Sequence, residues 1–249
     1  TTTDIIPYPE QDVYTVLQAS SQYALPSNTV RTVISLKLPY PGMVIKWDEW
    51  EDGYEANIYN PTQSTTKIWG DGNIYNGIAP GYPTDIIPVG GSIVLDNTMT
   101  ANPRNSSEFY YDGKDMITSS GQIAMTQVSG EPSWVSVQAM KTNITSVYDF
   151  GQSFTIPFGQ DFNSQDFAYT ALFIRASEDN TTIHIDKDNN GTFETTTTLN
   201  KGASYLVDGG VMTGATVTSD KAVGVEVSAG GIDGFSLRNA PIFPASWYS

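Results

Sequence analysis

Thr170-Ala171-Leu172-Phe173-Ile174-Arg175 has the composition of a β-strand, and an earlier stretch, Thr32-Val33-Ile34-Ser35-Leu36-Lys37, lines up with it residue for residue. The alignment runs on without a gap. Val44-Ile45-Lys46-Trp47-Asp48 falls against Thr182-Ile183-His184-Ile185-Asp186, and Gly53 against Gly191. Further along, Gly90-Gly91-Ser92-Ile93-Val94-Leu95-Asp96 matches Gly202-Ala203-Ser204-Tyr205-Leu206-Val207-Asp208. Ile117-Thr118-Ser119 and Ile123-Ala124-Met125 then match Val217-Thr218-Ser219 and Val223-Gly224-Val225. Order is kept throughout and insertions fall only in the first copy, the signature of an internal duplication.

The matched blocks carry strand periodicity. Val223, Val225 and Val227 alternate with Gly224, Glu226 and Ser228, the period of two of a half-buried strand. Further strands are expected at Tyr169–Ala176, Thr181–Ile185, Thr192–Leu199, Ser204–Val207 and Ala215–Thr218. Short strands separated by Gly, Asn and Asp indicate a sandwich or barrel. Asp12–Leu25 fits a helix, with Val13, Val16, Leu17 and Ala24 on one side, and fits a strand almost as well. The expected fold is all-β: two diverged antiparallel β-sandwich-like units, packed closely. The division is residues 1–30 as an N-terminal extension and 31–130 as the first unit, with an aromatic insertion at about 57–89. Residues 131–168 follow as a structured connection with strand-like Trp134–Ala139 and Ser153–Phe158, and 169–249 form the second unit and its tail.

Composition narrows the function. Acidic residues number 27 against 12 basic, a net charge of −15, so no basic surface exists to neutralise nucleic-acid phosphates. No apolar run approaches the ~18 residues of a membrane span. Cysteine is absent, which removes disulfides, thiol nucleophiles and thiolate metal sites. The Thr1-Thr2-Thr3 start is expected to be a mature or an engineered end rather than a native initiator. Sequons at Asn105, Asn143, Asn180 and Asn190 agree with export.

Asp186-Lys187-Asp188-Asn189-Asn190-Gly191-Thr192-Phe193-Glu194 places oxygen side chains at positions one, three and five. A glycine at six permits a sharp turn, position seven offers a carbonyl, and an acid at nine closes the shell. These are hard oxygen ligands of the kind Ca²⁺ takes, six to eight at a time. The flanks read as strands, so the segment is not an EF-hand. It resembles the calcium hairpin loops of integrin alpha-subunit propellers over nine residues, with Glu194 where those loops usually have Asp. The resemblance implies Asp186, Asp188, Asn190, Thr192 (carbonyl) and Glu194 as ligands. The alternative is an ordinary hairpin whose Asn-Gly supplies positive φ angles. In the first copy the equivalent segment, Asp48 to Glu55, is one residue shorter and has Trp50 at its third position. Asp48, Asp52 and Glu55 form a lesser candidate site there, with a hairpin that has lost its metal as the alternative.

An enzyme is not expected. The single histidine, His184, alternates with Ile183 and Ile185 and belongs on an outer strand face, against a Ser-His-Asp triad or a zinc site. Glycosidases need only two carboxylates, and Asp48, Glu49, Glu51, Asp52 and Glu55 form a dense acidic run beside Trp47 and Trp50. Trp47 aligns with Ile185 and reads as core. In general character the chain looks like the repeat-built β-domains of surface layers, extracellular filaments and adhesins. That resemblance implies an extracellular, cell-surface protein that self-associates or meets other surface proteins, stiffened by calcium. The alternative is a carbohydrate-binding module, or the non-catalytic part of a secreted hydrolase, with glycans as partners and Trp50 and Trp69 as the ligand surface. The apolar ends, Ile5-Ile6-Pro7-Tyr8 and Ile242 to Tyr248, are expected to cover their own sheets or to add to a neighbour's.

Overall fold

The computed structural model of the chain describes residues 1–20, 27–77, 82–133, 139–231 and 237–248. Among the described residues it is all-β apart from one α-helix and three short 3-10 turns, with antiparallel sheets packed closely together. The elements run β1 (Thr2–Ile5), α1 (Glu10–Ala19), β2 (Thr29–Lys37), β3 (Ile45–Asp48), β4 (Lys67–Trp69), β5 (Ser92–Thr100), β6 (Met116–Ser119), β7 (Ala124–Gly130) and β8 (Ala139–Asn143). Then come β9 (Gly151–Thr155), β10 (Tyr169–Ala176), β11 (Thr181–Asp186), β12 (Thr195–Leu199), β13 (Ser204–Val207), β14 (Thr216–Gly230) and β15 (Arg238–Ile242).

The first unit has two sheets, β1-β6-β3-β4 and β5-β2-β7-β8. Their inner faces meet in one core. Ile45, Trp47, Trp69 and Ile117 come from one sheet, and Ile34, Leu36, Ile93, Leu95 and Met125 from the other. β2 accordingly alternates buried and partly exposed residues along almost its whole length. In the second unit the strands join one seven-stranded sheet, because β14 continues for 15 residues where the first unit breaks into β6 and β7. Its pairing with β9 shifts between Thr218 and Val223, and such an irregularity lets a long strand serve two layers.

The registers of the two units coincide. Lys37 faces Ser92 as Arg175 faces Ser204, and Lys37 faces Ala124 as Arg175 faces Gly224. Ile45 faces Ser119 as Ile183 faces Ser219, and faces Trp69 as Ile183 faces Thr197. The likeness extends to strands outside the matched sequence blocks. Thr3 faces Thr118 as Ser153 faces Thr218, so β1 and β9 hold the same place. Residues 1–30, expected as an extension, thus supply an edge strand and α1, and residues within 131–168 supply β8 and β9. The expected aromatic insertion is likewise two pieces of extra chain, one on each side of β4.

α1 stops at Ala19, with Val13, Val16 and Leu17 buried, and Ala24 and Leu25 lie outside the described residues. Of the strand expected at Trp134–Ala139 only Ala139 is described, at the start of β8. β10 is buried on both faces. Leu172 and Ile174 point into the second unit's core, while Tyr169, Ala171 and Phe173 pack with Tyr8, α1, Val30 and Met140 of the first. A buried polar chain crosses the same boundary: Tyr8 Oη donates to Glu226 Oε2 (2.6 Å), and Arg175 Nη1 pairs with Glu226 Oε1 (2.6 Å). Both ends of the chain engage its own sheets, β1 against β6 and β15 against β14.

Candidate functional site

Two groups of carboxylates bring their oxygens within 4.8 Å of one another among the described residues: Asp186 with Asp188 and Glu194, and Glu49 with Glu51 and Asp115. The first group lies in the hairpin that follows β11, and Glu49 and Glu51 of the second lie in the corresponding turn after β3, with Asp115 joining them from just before β6. The two hairpins are built differently.

At Asp186 the chain leaves β11 and turns through Asn189 (φ 59°) and Gly191 (φ 86°), left-handed conformations that glycine and asparagine tolerate. The loop is held by its own backbone. Asp186 accepts from the Asn190 and Gly191 amides (3.1 and 2.8 Å), and Asp188 from the Asn190 amide and side chain (3.2 and 3.0 Å). Asn190 Oδ1 accepts from Thr192 N (2.8 Å), and Glu194 reaches back to Lys187 N (2.7 Å). Asp186 is buried, whereas Asp188 and Glu194 are exposed. Carboxylates so arranged tolerate water and offer a divalent cation three negatively charged groups. His184 lies on the outer face beside this loop, bonded to Thr196 Oγ1 (2.9 Å) and against the Phe193 ring.

In the first unit Asp48, Asp52 and Glu55 are not gathered. Asp48 Oδ2 accepts from Glu55 N (3.0 Å), but the Glu55 carboxylate turns away to the longer loop. There it accepts from Thr62 N, Gln63 N and Thr66 Oγ1 (2.7, 2.6 and 3.1 Å). Asp52 is taken by Thr65 Oγ1 (2.7 Å). The extra chain between β3 and β4 supplies those donors, so these acids clamp a loop instead of facing one another.

The acids that do converge are Glu49, Glu51 and Asp115, with Asp112 and Glu10 behind them. Asp115 is fully buried and accepts from Trp47 Nε1 (2.9 Å), Asp112 N (3.0 Å) and Trp50 N (3.2 Å). Asp112 accepts from Trp50 Nε1 and Arg104 Nε, both at 2.8 Å. Arg104 also pairs with Glu51 Oε1. Glu10 is bonded to Thr32 Oγ1 (2.7 Å) and the Gly113 amide (3.2 Å). Of these five carboxyls only Glu51 and Asp112 pair with the Arg104 guanidinium, and Lys114 lies over the Trp50 ring. Burial pushes the Glu49 carboxyl up to about 8, and the charge of Glu51 adds to the rise. Burial and Asp112 push Glu51 up to about 7, and burial lifts Asp115 and Glu10 well above the carboxylate range. Reading the sequence hairpin by hairpin misses this group, because Asp115 joins it from the turn before β6. The visible signal is Asp112 and Asp115 set immediately before a matched block.

Trp69 and Trp50, the expected ligand surface, are placed differently. Trp69 is 1% exposed and packs against Trp47 and Tyr111 in the core. Trp50 is half-buried, with its indole N–H bonded to Asp112 and Lys114 Nζ 4.3 Å from its ring centre. Comparison with protein-family models, curated proteins and solved structures finds no match to this chain.

Proposed function

We propose that this chain is a non-catalytic, extracellular structural or adhesive protein of a cell surface. It would be a surface-layer, filament or adhesin component built from two diverged copies of one β-unit and stiffened by calcium at the Asp186 hairpin. The observation that carries the reading is the convergence of Asp186, Asp188 and Glu194 within 4.8 Å on a short turn between two strands. The equal registers of the two units support the duplication, and the core they share suits a rigid building block. An acidic surface at net charge −15 suits a medium rich in cations. Partners on this reading are further copies of the chain or other surface proteins. The carbohydrate-binding alternative loses Trp69 to the core, and its Trp50 is half-buried between Asp112 and Lys114.

An extracellular site of this type binds with a dissociation constant on the order of 10⁻⁴–10⁻³ M. Calcium at about 10 mM then stabilises the fold by roughly 1.4–2.7 kcal/mol, which raises the melting midpoint by roughly 3–11 °C over chelator. Asp188→Asn should remove that increment. A midpoint that moves equally in the variant and the wild type, or in neither, rejects calcium at this hairpin. Surface labelling of intact cells that produce the protein tests its location, and concentration-dependent sedimentation tests self-association.

A further inference from the structure

We propose that Glu49, Glu51 and Asp115 form a second, buried site for a hard divalent cation of the calcium type, in the core-facing turn of the first unit. Their oxygens lie within 4.8 Å of one another, the span of ligands about 2.4 Å from a common calcium ion. Oxygens in the group also lack partners. Glu49 is 4% exposed, and its Oε2 meets no hydrogen-bond donor. The Glu51 side chain is 0% exposed; Arg104 takes its Oε1 and leaves Oε2 equally without a partner. Buried polar atoms are almost always satisfied, and buried charges are paired or coordinate metals. Tyr111 Oη, a third buried atom without a partner, borders the same group, where it could meet an ion-bound water.

The cations already present make no hydrogen bond or ion pair to the open oxygens: Arg104 is shared between Glu51 and Asp112, Lys114 faces the indole ring of Trp50, and Lys67, whose charge acts on Glu49 from the neighbouring cleft, donates to the Ser64 carbonyl (3.0 Å). Asp115, although it accepts three N–H groups, keeps lone pairs for a metal because a carboxylate accepts about four bonds. An approach route exists: a cleft of about 400 Å³ lined by Glu49, Thr65, Lys67, Asn97 and Tyr111 opens beside the group. The site is distinct from the Asp186 hairpin, so either can fail alone.

Terbium(III), a luminescent stand-in for calcium, reads this site selectively. Trp47 and Trp50 both bond to Asp115, whereas the aromatic residue of the Asp186 loop is Phe193. Chelator-stripped full-length protein titrated with terbium and excited through tryptophan should show emission that saturates at one equivalent and is displaced by Ca²⁺. Glu49→Gln and Glu51→Gln should each weaken terbium binding by about tenfold or more, because fewer ligand charges remain. Glu49→Gln, which breaks no ion pair, should melt in chelator no lower than wild type because it relieves carboxylate repulsion, and Asp188→Asn should keep the emission. Three results would overturn the proposal: folded wild type without tryptophan-excited emission, emission unchanged in both glutamine variants, or emission lost in Asp188→Asn. The first would leave protons to neutralise the group.

Discussion

Tyr8→Phe should weaken the whole protein, although it removes one oxygen atom and leaves every apolar contact in place. Tyr8 belongs to the first unit and is fully buried, with its ring centre 4.7 Å from that of Phe173 in β10. Its hydroxyl donates at 2.6 Å to Glu226 of β14, and the other Glu226 oxygen is held by Arg175. Glu226 is 0% exposed, so no water can replace the lost donor. A hydrogen bond to a charged group contributes about 1.5–3 kcal/mol, and the stranded carboxylate oxygen favours the upper part of that range. For a chain of this length the melting midpoint should fall by roughly 3–12 °C. Urea denaturation of wild type, Tyr8→Phe, Glu226→Gln and the double variant measures the coupling directly. If the two substitutions add without coupling, or Tyr8→Phe costs under about 0.5 kcal/mol, the hydroxyl does not tie the units together. Because the core around Tyr8 and β10 is drawn from both units, all four proteins should unfold in one transition.

Asp4 gives a pH dependence. Burial pushes its carboxyl up to about 6 from an ordinary 3.8, against the opposing charge of Arg175 and with Asp149 adding to the rise. The folded state then binds the proton more tightly than the unfolded one, so stability falls as pH rises from about 4 to about 6 and levels off above. Asp4→Asn should remove that slope and be more stable than wild type at pH 7 by up to about 3 kcal/mol; a wild-type minus variant difference that is flat between pH 4 and 7 in urea titrations refutes this. Trp69→Ala should cost about 3–5 kcal/mol in the same assay, as a buried aromatic does. A loss below about 1 kcal/mol would place the ring at the surface after all.

The strand pattern could be read from the chain because it is local, in alternating valines and turn glycines, and the blocks that suggest a duplication rest on the same local pattern. The continuous apolar run of β10 follows from burial on both faces, but the second face is covered by α1 and Tyr8, which no periodicity in β10 can reveal. β1 and β9 went unmatched because strands so short share little beyond pattern. Only their ladders, Thr3 opposite Thr118 and Ser153 opposite Thr218, expose the likeness. The next residues, Ile6-Pro7-Tyr8 and Ile156-Pro157-Phe158, repeat it faintly. The Asp186 hairpin was legible because its acids are neighbours in sequence. Asp48, Asp52 and Glu55 looked equivalent by alignment, yet the inserted loop brings Thr62, Gln63, Thr65 and Thr66 to absorb two of them.

The two hairpins divide the electrostatic problem differently, and the division bears on where a cation matters most. At Asp186 the backbone amides already satisfy the loop's acids, and two of the three acids face solvent. The turn is complete without an ion, so an ion contributes only its own modest binding energy. In the first unit the core has closed over the acids, leaving Glu49 Oε2 and Glu51 Oε2 without donors. Taking several charges out of water costs several kcal/mol per ion unless they are neutralised. Neutralisation there is therefore a condition of folding, by protons or by a cation, whereas at the second hairpin it is an addition. The sequence pattern points to an acidic group on the second unit that could hold a metal ion. The physics of burial places the greater dependence on the first, where β3, the turn before β6 and the Trp47–Trp69–Tyr111 cluster all rest against the carboxylates.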